Sequence, residues 1–269
     1  MPLREPKYKP DQTIVRSYGK GKYKISTHAW LRTSGVEDET EEYRHFKGMV
    51  NEEKLDSNIQ HTRNRIFEIA FCNPWDYFTT FTIDKNKYDR FNLDAYHSAL
   101  RRWINAYNRY HGTSIKYLTI PEKHKNGAWH EHGFIEGLPR EHLRLFTLNE
   151  KLPKYLRDKL KEGEQIYDWP AYRVKFGFCD FEPIRNPEAV SKYITKYITK
   201  TLVNNVTKIN AHSYYCSQGL KRSEIIKKGT MSANIAPDFG NEHVKVKWVS
   251  CADAEEEKNF LEWLNSVLA

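Results

Sequence analysis

The sequence predicts an α+β fold built on a mainly antiparallel sheet with flanking helices, because strand and helix patterns follow one another without the strict alternation of a parallel array. Three stretches carry this expectation. Residues 77–83 (YFTTFTI) are rich in aromatic and β-branched side chains and read as a buried strand. Over residues 93–110, Leu93, Tyr96, Leu100, Trp103, Ile104 and Tyr107 recur at spacings of three and four, as one face of a helix requires. Residues 114–120 and 129–135 are two further strand patterns, joined by a turn over 123–127, and so form a hairpin.

The remaining elements follow in order. Residues 1–50 are polar and without clear periodicity, and are expected to be irregular and loosely held. From residue 51 a helical pattern runs through Leu55, Ile59, Ile66 and Ile69, and Asn73-Pro74 breaks it. Residues 140–162 read as a charged helical insertion, and 173–182 as a strand with Val174, Phe176 and Phe178 alternating. Pro187 opens a helix to about residue 203, since proline is well tolerated in a first helical turn. Residues 213–216 suit a final short strand. Residues 254–268 form an amphipathic helix with Phe260, Leu261, Trp263, Leu264 and Val267 on one side. The expected division is an extension over 1–50, a main domain over 51–230 and a C-terminal extension over 231–269. No repeat or low-complexity tract interrupts it.

Charge is unevenly spread. The formal net charge is +8, but residues 72–230 alone carry 27 Lys and Arg against 17 Asp and Glu, an excess of ten. The acidic excess sits in 37–42 and 255–257. A basic middle suits a polyanionic partner such as nucleic acid, and an aromatic content of 14% leaves rings free to stack on bases. The four cysteines, Cys72, Cys179, Cys216 and Cys251, are scattered and include no CxxC, which argues against a zinc ribbon or a dense disulfide framework and for a reduced, cytoplasmic chain. No apolar run approaches the ~20 residues of a membrane span, and the charged N-terminus lacks the apolar stretch of a signal peptide.

Two segments carry chemistry. In Trp129-His130-Glu131-His132-Gly133, strand alternation puts His130 and His132 on one face and Glu131 on the other. Two imidazoles projecting together from a strand form a bidentate metal site. Glu122, eight residues earlier on the partner strand, faces His130 or His132 if the turn is tight. The same pattern also fits two histidines on an exposed strand face. In the second segment, Ser191 to Lys200 (SKYITKYITK), Tyr193 and Tyr197 share one helical face, with Lys192, Lys196 and Lys200 in a stripe beside them. A tyrosine hydroxyl, with a pKa near 10, becomes a useful nucleophile only with help. A divalent cation polarising a phosphate, and lysines offsetting the developing charge, would supply it. A helix with core tyrosines and solvated lysines shows this pattern too.

Several chemistries are excluded. A zincin needs HExxH, and position 134 is Phe. A zinc nucleobase deaminase needs a CxxC that the chain lacks. There is no GxxxxGK[ST], hence no P-loop motor.

Taken in order, YFTTFTID (77–84), EKHKNGAWHEHG (122–133) and YITKYITK (193–200) resemble the three motifs of HUH-superfamily rolling-circle replication initiators. The two-tyrosine type of phages, prophages and plasmids is the most similar. The resemblance spans about residues 51–230, and YxxKYxxK is its most specific part. It implies a five-stranded antiparallel sheet carrying the histidines, and Mg²⁺ or Mn²⁺ held by His130, His132 and Glu122. The middle residue of the histidine motif, usually bulky and hydrophobic, is Glu131 here, so Glu131 is the alternative third ligand. One tyrosine, with Tyr197 slightly favoured, would attack single-stranded DNA at a replication origin, leaving a 5′-phosphotyrosine and a free 3′-OH. The second could then attack the regenerated origin, so that strand release and circle closure alternate between the pair.

Transesterification conserves the bond energy in the phosphotyrosine, which fits the missing P-loop and leaves unwinding and extension to a host helicase and polymerase in a bacterial cytoplasm. Trp75, Tyr88 and Trp169 are candidate stacking residues, with Arg101, Arg102 and Lys125 as phosphate contacts. YYCSQGL (214–220), followed by Lys221 and Arg222, also resembles the phage-type initiators. The competing readings are an HUH transposase or relaxase, which typically has one tyrosine or a tyrosine before the histidines, and a catalytically silent nucleic-acid-binding protein of the same fold.

Overall fold

A computed structural model describes residues 7–34, 52–186 and 213–269, with side chains from residue 59 onward in the second stretch. The chain divides into two compact units, one from 1–50 and 222–269, the other 51–221. Both follow the α+β expectation, and every strand pair in them is antiparallel.

The larger unit runs α1 (Glu52–Cys72), β3 (Tyr77–Thr82), α2 (Leu93–His111), β4 (Lys116–Lys123), β5 (Trp129–Glu136), β6 (Arg144–Leu145), α3 (Lys154–Lys161), β7 (Tyr167–Asp168), α4 (Pro170–Lys175), β8 (Cys179–Pro183) and β9 (Tyr215–Cys216). Its sheet has the order β6-β7-β8-β3-β5-β4-β9, so it holds seven strands where the resemblance implied five. Three of the seven, β6, β7 and β9, are only two residues each. Such short edges limit the unpaired backbone left to template aggregation.

Strand alternation sorts the side chains onto two faces. On one, Tyr77, Phe81, Tyr117 and Ile135 meet Tyr96, Leu100 and Ile104 of α2, together with Trp169, Tyr172 and Phe176, in the largest core. On the other, Leu118, Ile120 and Phe134 meet Ile66, Ile69 and Ala70 of α1 and Trp75. Helix α2 is well terminated, with the Asn92 side chain accepting from Ala95 N–H and Gly112 closing it in the left-handed region (φ 65°). Trp75 and Trp169 are core residues rather than exposed stacking platforms; their exposures are 7% and 0%. Tyr88 is half-buried and stacks on Phe176.

Two expectations within this unit are corrected. Residues 173–182 are not one strand: α4 occupies Pro170–Lys175 and β8 begins at Cys179. Pro170 at the first helical position and the i,i+4 pair Tyr172 and Phe176, both fully buried, favour the helix, while Val174 is exposed. The segment 140–162 is helical only in a single 3-10 turn, Arg140–His142, and in α3. Leu152 and Leu156 seal a small core with Phe146 and Ile166.

The smaller unit holds β1 (Lys7–Gly19), β2 (Lys22–Ser34), β10 (Glu224–Thr230), β11 (Phe239–Gly240), β12 (Val244–Ser250) and α5 (Ala254–Val267), with sheet order β10-β1-β2-β12-β11. Residues 7–34, expected to be irregular, are therefore a long hairpin. Gly19 pairs with Lys22, and Lys20 and Gly21 between them have φ of 52° and 67°. Positive φ at both central residues marks a type I′ turn, whose twist matches the flanking strands. The terminal stretches thus belong to one unit, and it begins at Arg222 rather than at the expected residue 231. Helix α5 packs Leu264 against Val15, Tyr23 and Ile25, and Asp253 caps it by accepting from the N–H groups of Glu255 and Glu256.

Gly133 sets how closely β4 and β5 approach. A Cβ there would lie 2.1 Å from the Leu118 carbonyl oxygen and 2.8 Å from Thr119 Cα, both backbone atoms. Gly133→Ala must therefore part the two central strands. The expected cost is about 3 kcal/mol, read as a Tm lowered by roughly 6–12 °C in thermal unfolding. An unchanged Tm would show that the hairpin yields easily.

Candidate metal centre

The β4–β5 hairpin brings together the residues singled out by spacing. Its register pairs Glu122 with His130, and Ile120 with His132. His130 and His132 share the α1 face of the sheet, and Glu122 reaches both: its Oε2 lies 3.2 Å from His130 Nε2 and 3.1 Å from His132 Nε2. The two Nε2 atoms are 2.9 Å apart. Among the described residues these three form the one His/Cys/Asp/Glu group arranged to hold a metal ion.

The donor set fits a divalent cation. Three donor atoms about 3 Å apart match one face of an octahedron whose metal–ligand distance is about 2.1 Å, since adjacent vertices are separated by √2 times that length. Such a face leaves the opposite positions to substrate oxygens or water. The imidazoles are also in the right state. Burial and the neighbouring His124 lower the His130 pKa, and burial and His130 push that of His132 down to about 4. Both rings are therefore neutral near pH 7, with lone pairs to give.

The surroundings hold these rings in place. His124 stacks on His130 with ring centroids 4.0 Å apart, and Phe78 lies parallel to His132 at 6.2 Å. Thr80, on β3, pairs with His132, and its Oγ1 is 3.3 Å from His132 Nδ1. On the far side of Thr80 lies Asp180 of β8, fully buried and accepting from the Tyr155 hydroxyl at 2.8 Å. Burial pushes the Asp180 pKa up to about 7, against the hydrogen bond from Tyr155. Thr80 and Asp180 were not singled out from the sequence. The one trace they leave is a polar position in an otherwise aromatic strand pattern.

Glu131, the alternative third ligand, turns to the opposite face. It is wholly buried and bonds to His97 Nε2 of α2, and the His97 ring stacks on Tyr215 with centroids 3.4 Å apart. The carboxylate that joins the two histidines is thus that of Glu122. The burial of Glu131 is made tolerable by its partner on helix α2.

The other expected contacts are dispersed. Lys125 is exposed in the β4–β5 turn, near the strand ends that carry Glu122 and His130. Arg101 and Arg102 are exposed on α2, which covers the face away from the histidine pair. Lys192, Tyr193, Lys196, Tyr197 and Lys200, and the helix expected over 187–203, lie outside the described residues. All four cysteines carry free thiols. No described helix is long and apolar enough to cross a membrane.

Residues 76–202 match the family described as replication-associated protein ORF2/G2P. No curated protein and no solved structure matches the chain.

Removing one partner of the buried His97–Glu131 pair should be costly. His97→Ala leaves a carboxylate enclosed without a donor and is expected to lose about 3–5 kcal/mol in urea unfolding. Glu131→Gln, which avoids a buried charge, should lose less. A His97→Ala chain within 1 kcal/mol of the parent would show that water or another group satisfies Glu131.

Proposed function

As residues 76–202 belong to the replication-associated protein ORF2/G2P family, a family of rolling-circle replication, we propose that this chain is the initiator nuclease that nicks and rejoins one DNA strand at a replication origin. The observation that carries this reading is the convergence of Glu122 Oε2 with the Nε2 atoms of His130 and His132, all near 3 Å from one another. In this reading the three hold Mg²⁺ or Mn²⁺, which when bound polarises the scissile phosphate and offsets charge on its oxygens. Glu122 supplies the single formal negative charge, so the loaded site keeps a net positive charge for an anionic substrate.

Tyr193 and Tyr197 are the proposed nucleophiles. The attacking oxygen forms a bond to phosphorus as the 3′ oxygen leaves, giving a 5′-phosphotyrosine and a free 3′-OH. Lys196, between the tyrosines in sequence, would favour the phenolate and the crowded phosphate; Lys192 and Lys200 would contact the adjoining backbone. With one bond exchanged for another of similar energy, no nucleotide is consumed; the second tyrosine attacks the regenerated origin, and the 3′-OH this frees attacks the first phosphotyrosine, closing the circle and releasing that tyrosine. Lys125, at the turn beside Glu122, is a proposed phosphate contact. Arg101 and Arg102, on the opposite face, would meet only DNA that passes around the sheet. Host helicase and polymerase would act on the nicked origin in the bacterial cytoplasm.

The reading is tested by incubating the chain with single-stranded origin DNA and Mn²⁺, then resolving products on a denaturing gel. A released 5′ fragment ending in a free 3′-OH, and an adduct of the protein with the 3′ fragment, are expected. His130→Ala with His132→Ala should abolish both products while salt-sensitive DNA binding persists. The double Tyr193→Phe, Tyr197→Phe chain should give no adduct, whereas either single change retains part of the activity. An adduct formed by the double Phe chain would refute the nucleophile assignment, and no cleavage by the unsubstituted chain would favour a silent DNA-binding protein.

A further inference from the structure

We propose that Asp180 is a positioning residue for the candidate metal centre, acting through Thr80 to hold His132 in the tautomer that directs Nε2 at a cation. The proposal rests on the reading of Glu122, His130 and His132 as metal ligands. Metal binding through Nε2 requires a neutral imidazole whose proton sits on Nδ1. The sheet register supplies a path that selects this state. Thr80 of β3 is paired on one side with His132 of β5 and on the other with Asp180 of β8. Directly paired residues present their side chains to the same face, so acid, hydroxyl and imidazole form one row across three strands.

The direction of the hydrogen bonds along that row follows from the donor inventory. Thr80 Oγ1 lies 3.3 Å from His132 Nδ1, and the cross-strand partner of Thr80 on its other side is Asp180. A hydroxyl has one proton to donate. When Asp180 is ionised it only accepts, so the Thr80 proton points at it and Thr80 Oγ1 can only accept from Nδ1–H. Without that carboxylate the hydroxyl is free to donate to Nδ1, which moves the imidazole proton to Nε2 and blocks the ligand atom.

The cost of this arrangement argues for its use. Asp180 is 0% exposed, and its Oδ1 has no hydrogen-bond partner, so a neutral side chain would be cheaper to bury there. Lys159 of α3 offsets the Asp180 charge only through space, because its Nζ engages both carboxylate oxygens of Glu182, at 2.6 Å each. Asp180 is instead held by the Tyr155 hydroxyl, from the same helix. His130 has no counterpart, because its Nδ1 is buried without a hydrogen-bond partner. His132 is thus the preset ligand of the pair, and His130 takes its tautomer from the cation itself.

The test compares Mn²⁺ binding by the full chain and three variants, following the free-ion electron paramagnetic resonance signal in the absence of DNA. Thr80→Val removes the hydroxyl at nearly constant shape, and Thr80→Ser keeps it. Asp180→Asn replaces an obligate acceptor with an amide that can also donate. Thr80→Val and Asp180→Asn are expected to weaken Mn²⁺ binding by roughly ten- to a hundredfold, as loss of a group that orients a metal ligand typically does, while Thr80→Ser stays near the parent. Wild-type affinity in Asp180→Asn overturns the proposal. Equal losses in Thr80→Ser and Thr80→Val do so as well, since packing and not the hydroxyl would then be at stake. Failure of the ligand reading is separately visible: the unsubstituted chain would bind no Mn²⁺, or would bind it equally well as His130→Ala with His132→Ala, and the proposal would fall with it.

Discussion

The register of the β4–β5 hairpin is the constraint on which the rest of the larger unit depends. Side chains on a strand alternate with a period of two, so a slip of one residue exchanges the two faces of a strand. Here such a slip would send His130 and His132 into the aromatic core around Phe81 and Tyr96, and would turn Glu131 and Ile135 to the α1 face. Two features oppose it. Glu131 is enclosed with His97 on one face, and Gly133 lets the Leu118 carbonyl approach on the backbone level. The metal-ligand geometry is therefore a consequence of core packing that involves none of the ligand atoms.

This arrangement places a polar row within a rigid sheet. From β8 to β4 it includes Asp180, Thr80, His132, His130 and Glu122, on the face that α1 covers through Ile66, Ile69 and Ala70. Groups on central strands are held more tightly than groups on loops, which matters where three donor atoms must stay near 3 Å apart. Desolvation works in the same direction. Burial keeps both imidazoles neutral, and a neutral imidazole is the form that binds a cation. The opposite face carries the largest aromatic core, so the stability of the sheet and the chemistry of the site are drawn from different sides of the same strands.

Much of the central unit was legible from local patterns. Helix α2 and the hairpin were read from periodicity within three residues of their ends, and the eight-residue spacing of Glu122 and His130 matched a tight turn. Elsewhere local pattern misled. Val174, Phe176 and Phe178 alternate like a strand, yet the i,i+4 pair Tyr172 and Phe176 decides for a helix. The first hairpin escaped notice because Pro10, Asp11 and many polar residues interrupt any apolar alternation; its strands are supported by partners at residues 224–250. Trp75 and Trp169 carry no local mark of being buried, and only the packing of several elements encloses them.

For the site itself, the sequence alone determined which residue types lie on one strand face, since the period of a strand is a property of the backbone. That put His130 and His132 together and turned Glu131 away from them. It left open whether Glu122 or Glu131 is the carboxylate beside the two histidines, and said nothing of what else stands beside His132. The tertiary structure decided both. Pairing across strands set Glu122 against the histidines, gave Glu131 its partner on α2, and brought Thr80 and Asp180 from two other strands into the same row. The physical reason is that alternation is encoded locally, whereas the neighbour across a sheet depends on how distant segments close around a common core.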